Sequence, residues 1–295
     1  MTSKGLKINK DYHFVYNPYF VALGNVLQHL ENPDFILIGH CSNKSIIKIK
    51  KIYSNLYTKP KIKFMNLEEA ELVKLLVNSY VATKISFTNF VKKITNKFHV
   101  TSASKILEAV GTDKRVGKNF FNVGGPFMGP CLPRDMLALK KFCKEINIKP
   151  LLPTAANKIN NECINEFYKT LNLIKNSKFK NIGFIGTGYK PNTNNVEESI
   201  AFKVMQRAKR LKFKVYYFDR FIKKKHKGFK RFYSIKNLVK RTDIIFISYK
   251  DNYINKIKKY FTNKNIIWDI FNIINSKKIR VFSNINEFKS IKLNH

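Results

Sequence analysis

Acidic residues are scarce in this chain of 295 residues: 19 Asp and Glu stand against 56 Lys and Arg, a formal net charge of +37. Cysteine is scarce as well, and long apolar runs are missing. The four cysteines, Cys41, Cys131, Cys143 and Cys163, show no paired spacing. That argues against a zinc site or a disulfide scaffold and suits a reducing cytoplasm. No stretch approaches the ~18 uninterrupted apolar residues of a membrane span. The residues after Met1 are polar and form no signal core, so no membrane association is expected. The lysines are spread along the chain among Asn and Ile rather than concentrated on one element with interleaved aromatics. Specific nucleic-acid binding is therefore not expected, and non-specific attraction to polyanions should be screened by salt. The densest basic run, Phe221 to Arg231, reads as a solvated loop after a strand.

What is present is a globular composition, 44% hydrophobic and 14% aromatic, with room for about two domains. The first 65 residues have βαβ rhythm: apolar runs at 13–16, 35–39 and 61–65, with a basic helical segment from Ser42 to Tyr57. A long helix follows, capped by Asn66 with Glu69 as capping-box partner, its apolar positions continuing toward Val91. Its apolar content all round points to burial or a subunit interface. Further helices are expected over 102–110, 135–146 and 155–174. The last third alternates buried-strand runs at 181–185, 214–218, 243–248 and 265–270 with helices, the clearest over 198–211, a Rossmann-like pattern.

The loop Gly124-Gly125-Pro126-Phe127-Met128-Gly129-Pro130-Cys131-Leu132-Pro133-Arg134-Asp135 carries the most chemistry. Glycines allow close backbone approach and prolines fix chain direction, so Cys131 reads as a thiol on a rigid turn. Arg134 beside it would favour a thiolate, and Asp135 could orient a base or a water. The alternative is a small buried apolar residue. Lys74 and Asn78 lie one helical turn apart and share a face. Such a lysine either snorkels or meets a buried polar partner. Gly183-Phe184-Ile185-Gly186-Thr187-Gly188, with Asp219 ending the next strand, invites a dinucleotide reading. The glycine spacing is wrong and Tyr189-Lys190-Pro191 interrupts before any helix, so another phosphate ligand held by Lys190 is the better expectation.

Taken in order, Tyr16-Asn17-Pro18, Glu31 to Gly39, Glu69 to Lys74, Asn78, Ala82 to Phe87, Asp113-Lys114-Arg115-Val116-Gly117, the Cys131 loop, Gly188 to Thr193 and Val196 to Ser199 resemble the UDP-glucose/GDP-mannose dehydrogenase family. The resemblance implies an α/β protein. A short α/β remnant of the NAD-binding domain (1–65) precedes an all-helical central dimerisation domain (66–178) and a Rossmann-like parallel-sheet domain that binds the nucleotide sugar (179–295). It implies NAD-dependent, two-step oxidation of the C6 hydroxyl of a nucleotide sugar to a carboxylate. Cys131 would attack the C6 aldehyde, hydride loss would give a thioester, and water would hydrolyse it. Lys74 and Asn78 would stabilise the oxyanion and Asp135 would assist the base and water chemistry. Arg115 would reach the substrate of the neighbouring subunit in a homodimer. Phe120, Phe121, Asn122, Phe127 and Gly129 belong to the loop over the sugar, Lys190 would contact the nucleotide, and Arg134 is expected to contact the cofactor.

Three departures shape the expectation. About 100–150 residues of NAD domain are absent, one domain's worth, so the chain would be inactive alone or would work with a separately encoded NAD domain. Tyr19 stands where the family has a hydrolytic glutamate, and Met128 stands at a glycine position where its side chain would crowd the sugar. The competing expectation is a non-catalytic, dimerising nucleotide-sugar-binding protein.

Overall fold

Short β-branched runs separated by turns build two sheets, one in each of the two units into which the chain divides, residues 1–78 and 79–295. The computed structural model describes residues 5–57, 61–98, 102–121, 123–274 and 278–293. Among them no helix is long and apolar enough to cross a membrane.

In the first unit β1 (Val15–Tyr16) runs antiparallel to β2 (Ile36–His40), and β2 runs parallel to β3 (Ile62–Asn66). Helix α1 (Val26–Glu31) precedes β2, and α2 (Asn43–Leu56) is the crossover to β3. The Ser42 hydroxyl caps α2 by accepting from the Ser45 amide. Helix α3 (Leu67–Lys97) starts at the expected capping box. The Glu69 amide donates to Asn66 Oδ1 at 2.8 Å, and the Asn66 amide donates to Glu69 Oε2 at 3.1 Å, which satisfies two otherwise orphaned donors. The helix start lies hard against β2: a Cβ on Gly39 would meet Ala70 Cβ at 2.7 Å.

The second unit contains the rest of α3, then α4 (Ala103–Thr112), α5 (Cys131–Glu145) and α6 (Leu151–Lys175). Both α5 and α6 begin four residues before the expected starts at 135 and 155. The prolines near their starts, Pro133 and Pro153, fall in the first turn, where a missing N–H costs nothing and the fixed φ suits a helix. Cys131 is therefore the first residue of a helix rather than part of a turn.

Six parallel strands follow: β4 (Asn181–Ile185), β5 (Lys214–Phe218), β6 (Lys230–Arg231), β7 (Ile244–Ile247), β8 (Ile266–Asp269) and β9 (Arg280–Phe282). Their spatial order is β6-β5-β4-β7-β8-β9, the 3-2-1-4-5-6 arrangement of a doubly wound fold. Helices α7 (Ile200–Arg210), α8 (Ile235–Arg241), α9 (Tyr253–Ile257) and α10 (Ile285–Leu293) complete it. The central strands β5, β4, β7 and β8 are buried on both faces, which is why they read as continuous apolar runs. Ile244 and Phe246 pack with residues of α6, α7 and α10, whereas Ile245 and Ile247 pack with α8 and α9. The basic run 221–231 is not simply a solvated loop. Ile222 is buried, and Arg231 donates to the carbonyls of Asp219 at 3.0 Å and Lys223 at 2.9 Å.

The Gly39–Ala70 contact gives a stability prediction. Gly39→Ala should destabilise the protein by about 1–3 kcal/mol, as overpacking does. Adding Ala70→Gly should recover only part of this, because Leu67 Cα and Asn66 O would still lie 3.2 and 3.3 Å from the new Cβ. Chemical denaturation of the two variants measures both effects.

Candidate active site

The approach to Cys131 is irregular backbone that is nevertheless buried from Gly124 to Phe127 and again at Gly129. Glycine is obligatory at two of these positions. Gly124 has φ +148°, and a Cβ there would meet the Phe271 ring at 2.6 Å and Ile270 O at 2.7 Å. Gly129 has φ +82°, and its Cβ would meet the Tyr189 ring at 2.7 Å. Two amides hold the segment between them: Asn89 Nδ2 donates to Gly125 O at 3.0 Å, and Phe127 N–H donates to Asn160 Oδ1 at 2.7 Å. Met128, expected to crowd the sugar, lies against the loop's own Gly125, where an added Cβ would meet Met128 Cε at 3.7 Å. Its side chain turns onto the sheet's apolar core, where Sδ accepts from the Ile200 amide at 3.2 Å, because the first amides of α7 lack intrahelical partners.

Cys131 is exposed at the start of α5. One turn on, Asp135 is buried and accepts from Arg134 Nε at 2.9 Å. That carboxylate is the main reason the Arg134 guanidinium is held above its ordinary value. Arg134 thus neutralises Asp135, and nothing in the arrangement marks it as a cofactor contact. Lys190 and Tyr189 lie within electrostatic reach of the Cys131 sulfur. Burial lowers the Lys190 ammonium below the ordinary lysine value, with the charge of Cys131 pulling the other way. Burial and that same charge push the Tyr189 phenol up to about 12. Lys190 Nζ makes no hydrogen bond or ion pair with any described residue and lies 5.7 Å from the Tyr189 ring centroid.

The segment after α4 carries Arg115, whose side chain is 89% exposed and forks onto the Asp113 carboxylate, with Nη2 at 2.6 Å. Phe120 is half-exposed with φ +67°, a strained value for a phenylalanine. Phe121 packs against Phe87 and beneath Lys84, whose Nζ lies 4.6 Å from its ring centroid and donates to the carbonyls of Val116 and Gly117. Asn122 lies outside the described residues. Phe127 is buried with Ala82, Met136 and Ala156, so its side chain is core rather than a sugar contact. Asn89, Asn160 and Lys84 were not singled out from the sequence as functional residues. The available signal was a polar side chain on an otherwise apolar helix face, which needs a partner to be tolerated.

Lys74 and Asn78 belong to the first unit and share one face of α3. Lys74 Nζ donates to Tyr19 O at 2.8 Å and lies 4.7 Å from the Phe20 ring centroid. Tyr19 also lines a cavity of about 320 Å³ with Asn17, Phe20, Phe35, Tyr53 and Tyr57. The Tyr53 hydroxyl donates to Asn17 Oδ1. Burial, reinforced by Tyr19, pushes the Tyr53 phenol up to about 12.

The second sheet's switch point does not fit NAD. In a doubly wound sheet the dinucleotide lies at the switch point, here between β4 and β7. That crevice is filled: a Cβ on Gly186 would meet the buried Tyr249 ring at 2.6 Å, and Ser248 Oγ donates to Gly186 O at 2.5 Å. Asp219, at the end of β5, already accepts from Thr187 N–H and Oγ1 at 2.6 and 2.9 Å and from the amides of Phe221 and Ile222. Its carboxylate is committed to the fold and is not free for a ribose. Likewise, no group of His, Cys, Asp or Glu side chains among the described residues could hold a metal ion.

The Asp219 network reaches His226. Because the Thr187 hydroxyl donates to Asp219, the neutral imidazole donates to Thr187 Oγ1 from Nε2, at 2.9 Å. Burial between Phe202 and Tyr217 lowers the imidazole below its ordinary 6.5. Below pH 6.5 the unfolded chain therefore binds the extra proton first. The stability contributed by His226 is present above 6.5 and lost as pH falls toward the lowered folded value. The unfolding midpoint should fall on acidification through this window, and His226→Gln should flatten that dependence in thermal scans.

Two family models match the chain: the UDP-glucose/GDP-mannose dehydrogenase family, central domain, over residues 68–162, and the same family's UDP binding domain over 183–276. The UDP-glucose 6-dehydrogenase TuaD of Bacillus subtilis is 31% identical over 206 residues, 70% of this chain and 44% of that protein. The UDP-glucose 6-dehydrogenase of Rickettsia prowazekii is 31% identical over 208 residues, 70% of this chain and 47% of that protein. The chain thus spans about half the length of the curated relatives it matches. A solved UDP-glucose dehydrogenase from the hyperthermophilic archaeon Pyrobaculum islandicum shares the fold, with TM-score 0.85 and 23% identity over 94% of this chain and 64% of that one. With its central and UDP-binding segments matched in order, the chain belongs to the UDP-glucose/GDP-mannose dehydrogenase family.

Proposed function

We propose that this chain is the substrate-handling part of a nucleotide-sugar 6-dehydrogenase, with UDP-glucose as substrate, organised as the domains 1–65, 66–178 and 179–295. The observation that carries this reading is the exposed Cys131 thiol at the start of α5, within electrostatic reach of a half-buried lysine in the segment matching the UDP-binding model. Lys190, a cation with no acidic partner among the described residues, suits a diphosphate. The Cys131 sulfur adds to the C6 aldehyde, a sulfur–carbon bond forms, and the carbonyl electron pair moves to oxygen, which takes a proton to give a thiohemiacetal. The Lys74 ammonium and Asn78 amide are donors of the type that stabilise such an oxyanion. Oxidation of that thiohemiacetal to a thioester requires a hydride acceptor, and Asp135 would then orient the water that cleaves the thioester, releasing the carboxylate and regenerating the thiol. NAD is the family's hydride acceptor. Since the second sheet's switch point does not fit it, it would be held by a separate NAD-binding domain.

Apolar side chains left exposed on α3, among them Phe87, Phe90 and Ile94, support a homodimer through this helix. The exposed Arg115 would then be presented to the neighbouring copy. A second reading is favoured by Tyr19: a phenol cannot serve as a carboxylate base near neutrality, so the chain would bind the nucleotide sugar and dimerise without turning it over.

Calorimetry with UDP and UDP-glucose is the first test. Binding should weaken about tenfold or more in Lys190→Ala, as loss of a charge-assisted contact implies. It should also decline at a pH below the ordinary lysine value, because the lowered Lys190 loses its proton early. No binding would defeat both readings. Adding a separately expressed NAD domain with NAD then divides them. NADH formation abolished by Cys131→Ala supports the enzyme, and binding without NADH supports the non-catalytic protein.

A further inference from the structure

We infer that Asn89 and Asn160 are positioning residues that together set the Cys131 loop, a role that rests on reading Cys131 as the reacting thiol. The loop before Cys131 is buried but belongs to no helix or strand, so its peptide groups cannot use a ladder and must find side-chain partners. Pro126 has no N–H. The groups on either side of it are Gly125 C=O and Phe127 N–H, and these are the two that the asparagines take, at 3.0 and 2.7 Å. The clamps come from different helices, α3 and α6, with Asn89 3% and Asn160 6% exposed. The loop is therefore held from both sides at the proline, and from Phe127 only Met128, Gly129 and Pro130 intervene before Cys131.

The two amides do opposite jobs, and that asymmetry makes the role testable. Asn89 works through its NH2, and its Oδ1 is buried with no hydrogen-bond partner among the described residues. Asn160 works through its oxygen. Both lie inside helices, where asparagine is a poor helix former and a buried amide is unfavourable unless it bonds. An aspartate at 160 keeps the acceptor, whereas an aspartate at 89 removes the donor and sets an oxygen against the Gly125 carbonyl. Neither residue needs to touch substrate. The Phe127 side chain, locked among Ala82, Met136 and Ala156, anchors the same peptide, so a peptide released by either amide pivots there and carries Cys131 away from Tyr189 and Lys190.

The test reads thiol chemistry rather than turnover, so it stands whether or not the chain is catalytic. Native full-length protein is alkylated with iodoacetamide, and the modification rates of Cys131 and of Cys143, further along α5, are followed by peptide mass spectrometry. Asn89→Ala, Asn160→Ala and Asn89→Asp should each lower the Cys131-to-Cys143 rate ratio by about threefold or more, the low end of what one lost hydrogen bond supplies. Asn160→Asp should keep the ratio near wild type and preserve slow exchange of the Phe127 amide proton, which Asn160→Ala should lose. The inference is overturned if the ratio is unchanged in the first three variants, if it rises, or if both thiols move together as global loosening would make them. It is equally overturned if Asn160→Asp behaves like Asn160→Ala. Should an alanine variant fail to fold, the contrast between the two aspartates decides alone, and failure of both aspartates to fold counts against it.

Discussion

The packing of α6 against the parallel sheet is the constraint on which the second unit depends. Phe167 lies 6.1 Å from Phe246 and 5.8 Å from Trp268, and those two rings meet edge to face at 4.9 Å. Buried aromatic clusters of this kind contribute both area and directional contact, and removing one ring typically costs about 3–5 kcal/mol. The C-terminal half of α6 is thereby fixed to the sheet through Phe167, Leu171 and Ile174. Its N-terminal half is left to organise other things: Ser86 Oγ donates to Ala156 O at 2.9 Å, and Asn160 receives the loop. One helix therefore relates the sheet, α3 and Cys131 to one another.

Around that brace, two loops far apart in sequence become neighbours. The Cys131 approach lies under Tyr189, and Met128 reaches the first amide of α7. Met128 therefore has a structural use, as a soft acceptor for an orphaned helix amide. The proposed chemistry needs a nucleotide-binding surface and a thiol in fixed relation, and packing between these loops would supply it.

Much of this was legible in the residues. The capping box at Asn66 and Glu69 and four of the six parallel strands follow from local signals whose physics is local. The short β6 and β9 were not legible, because two or three residues of strand carry no periodicity; helices were expected between the longer strands, but the bounds of the brief α8 and α9 were not. The early start of α5 was hidden by reading the Gly- and Pro-rich loop as a rigid turn through Cys131, when a proline in a first turn is compatible with a helix. Cys131, Asp135 and Lys190 stood out through their motifs. Asn89 and Asn160 did not, since their meaning depends on a loop 33 to 36 positions away. Phe127 was placed in the loop over the sugar by the family resemblance, and only packing reveals that its ring is core.

Gly129 and Tyr189 form one fitted surface, a missing side chain matched to a ring face. The backbone at Gly129, φ +82°, already restricts that position to glycine, so the ring does not choose the residue but uses the flat face that glycine leaves. A turn selected for its backbone thus doubles as a seat for a distant loop, and a smaller residue at 189 would open a gap over the thiol loop without freeing position 129.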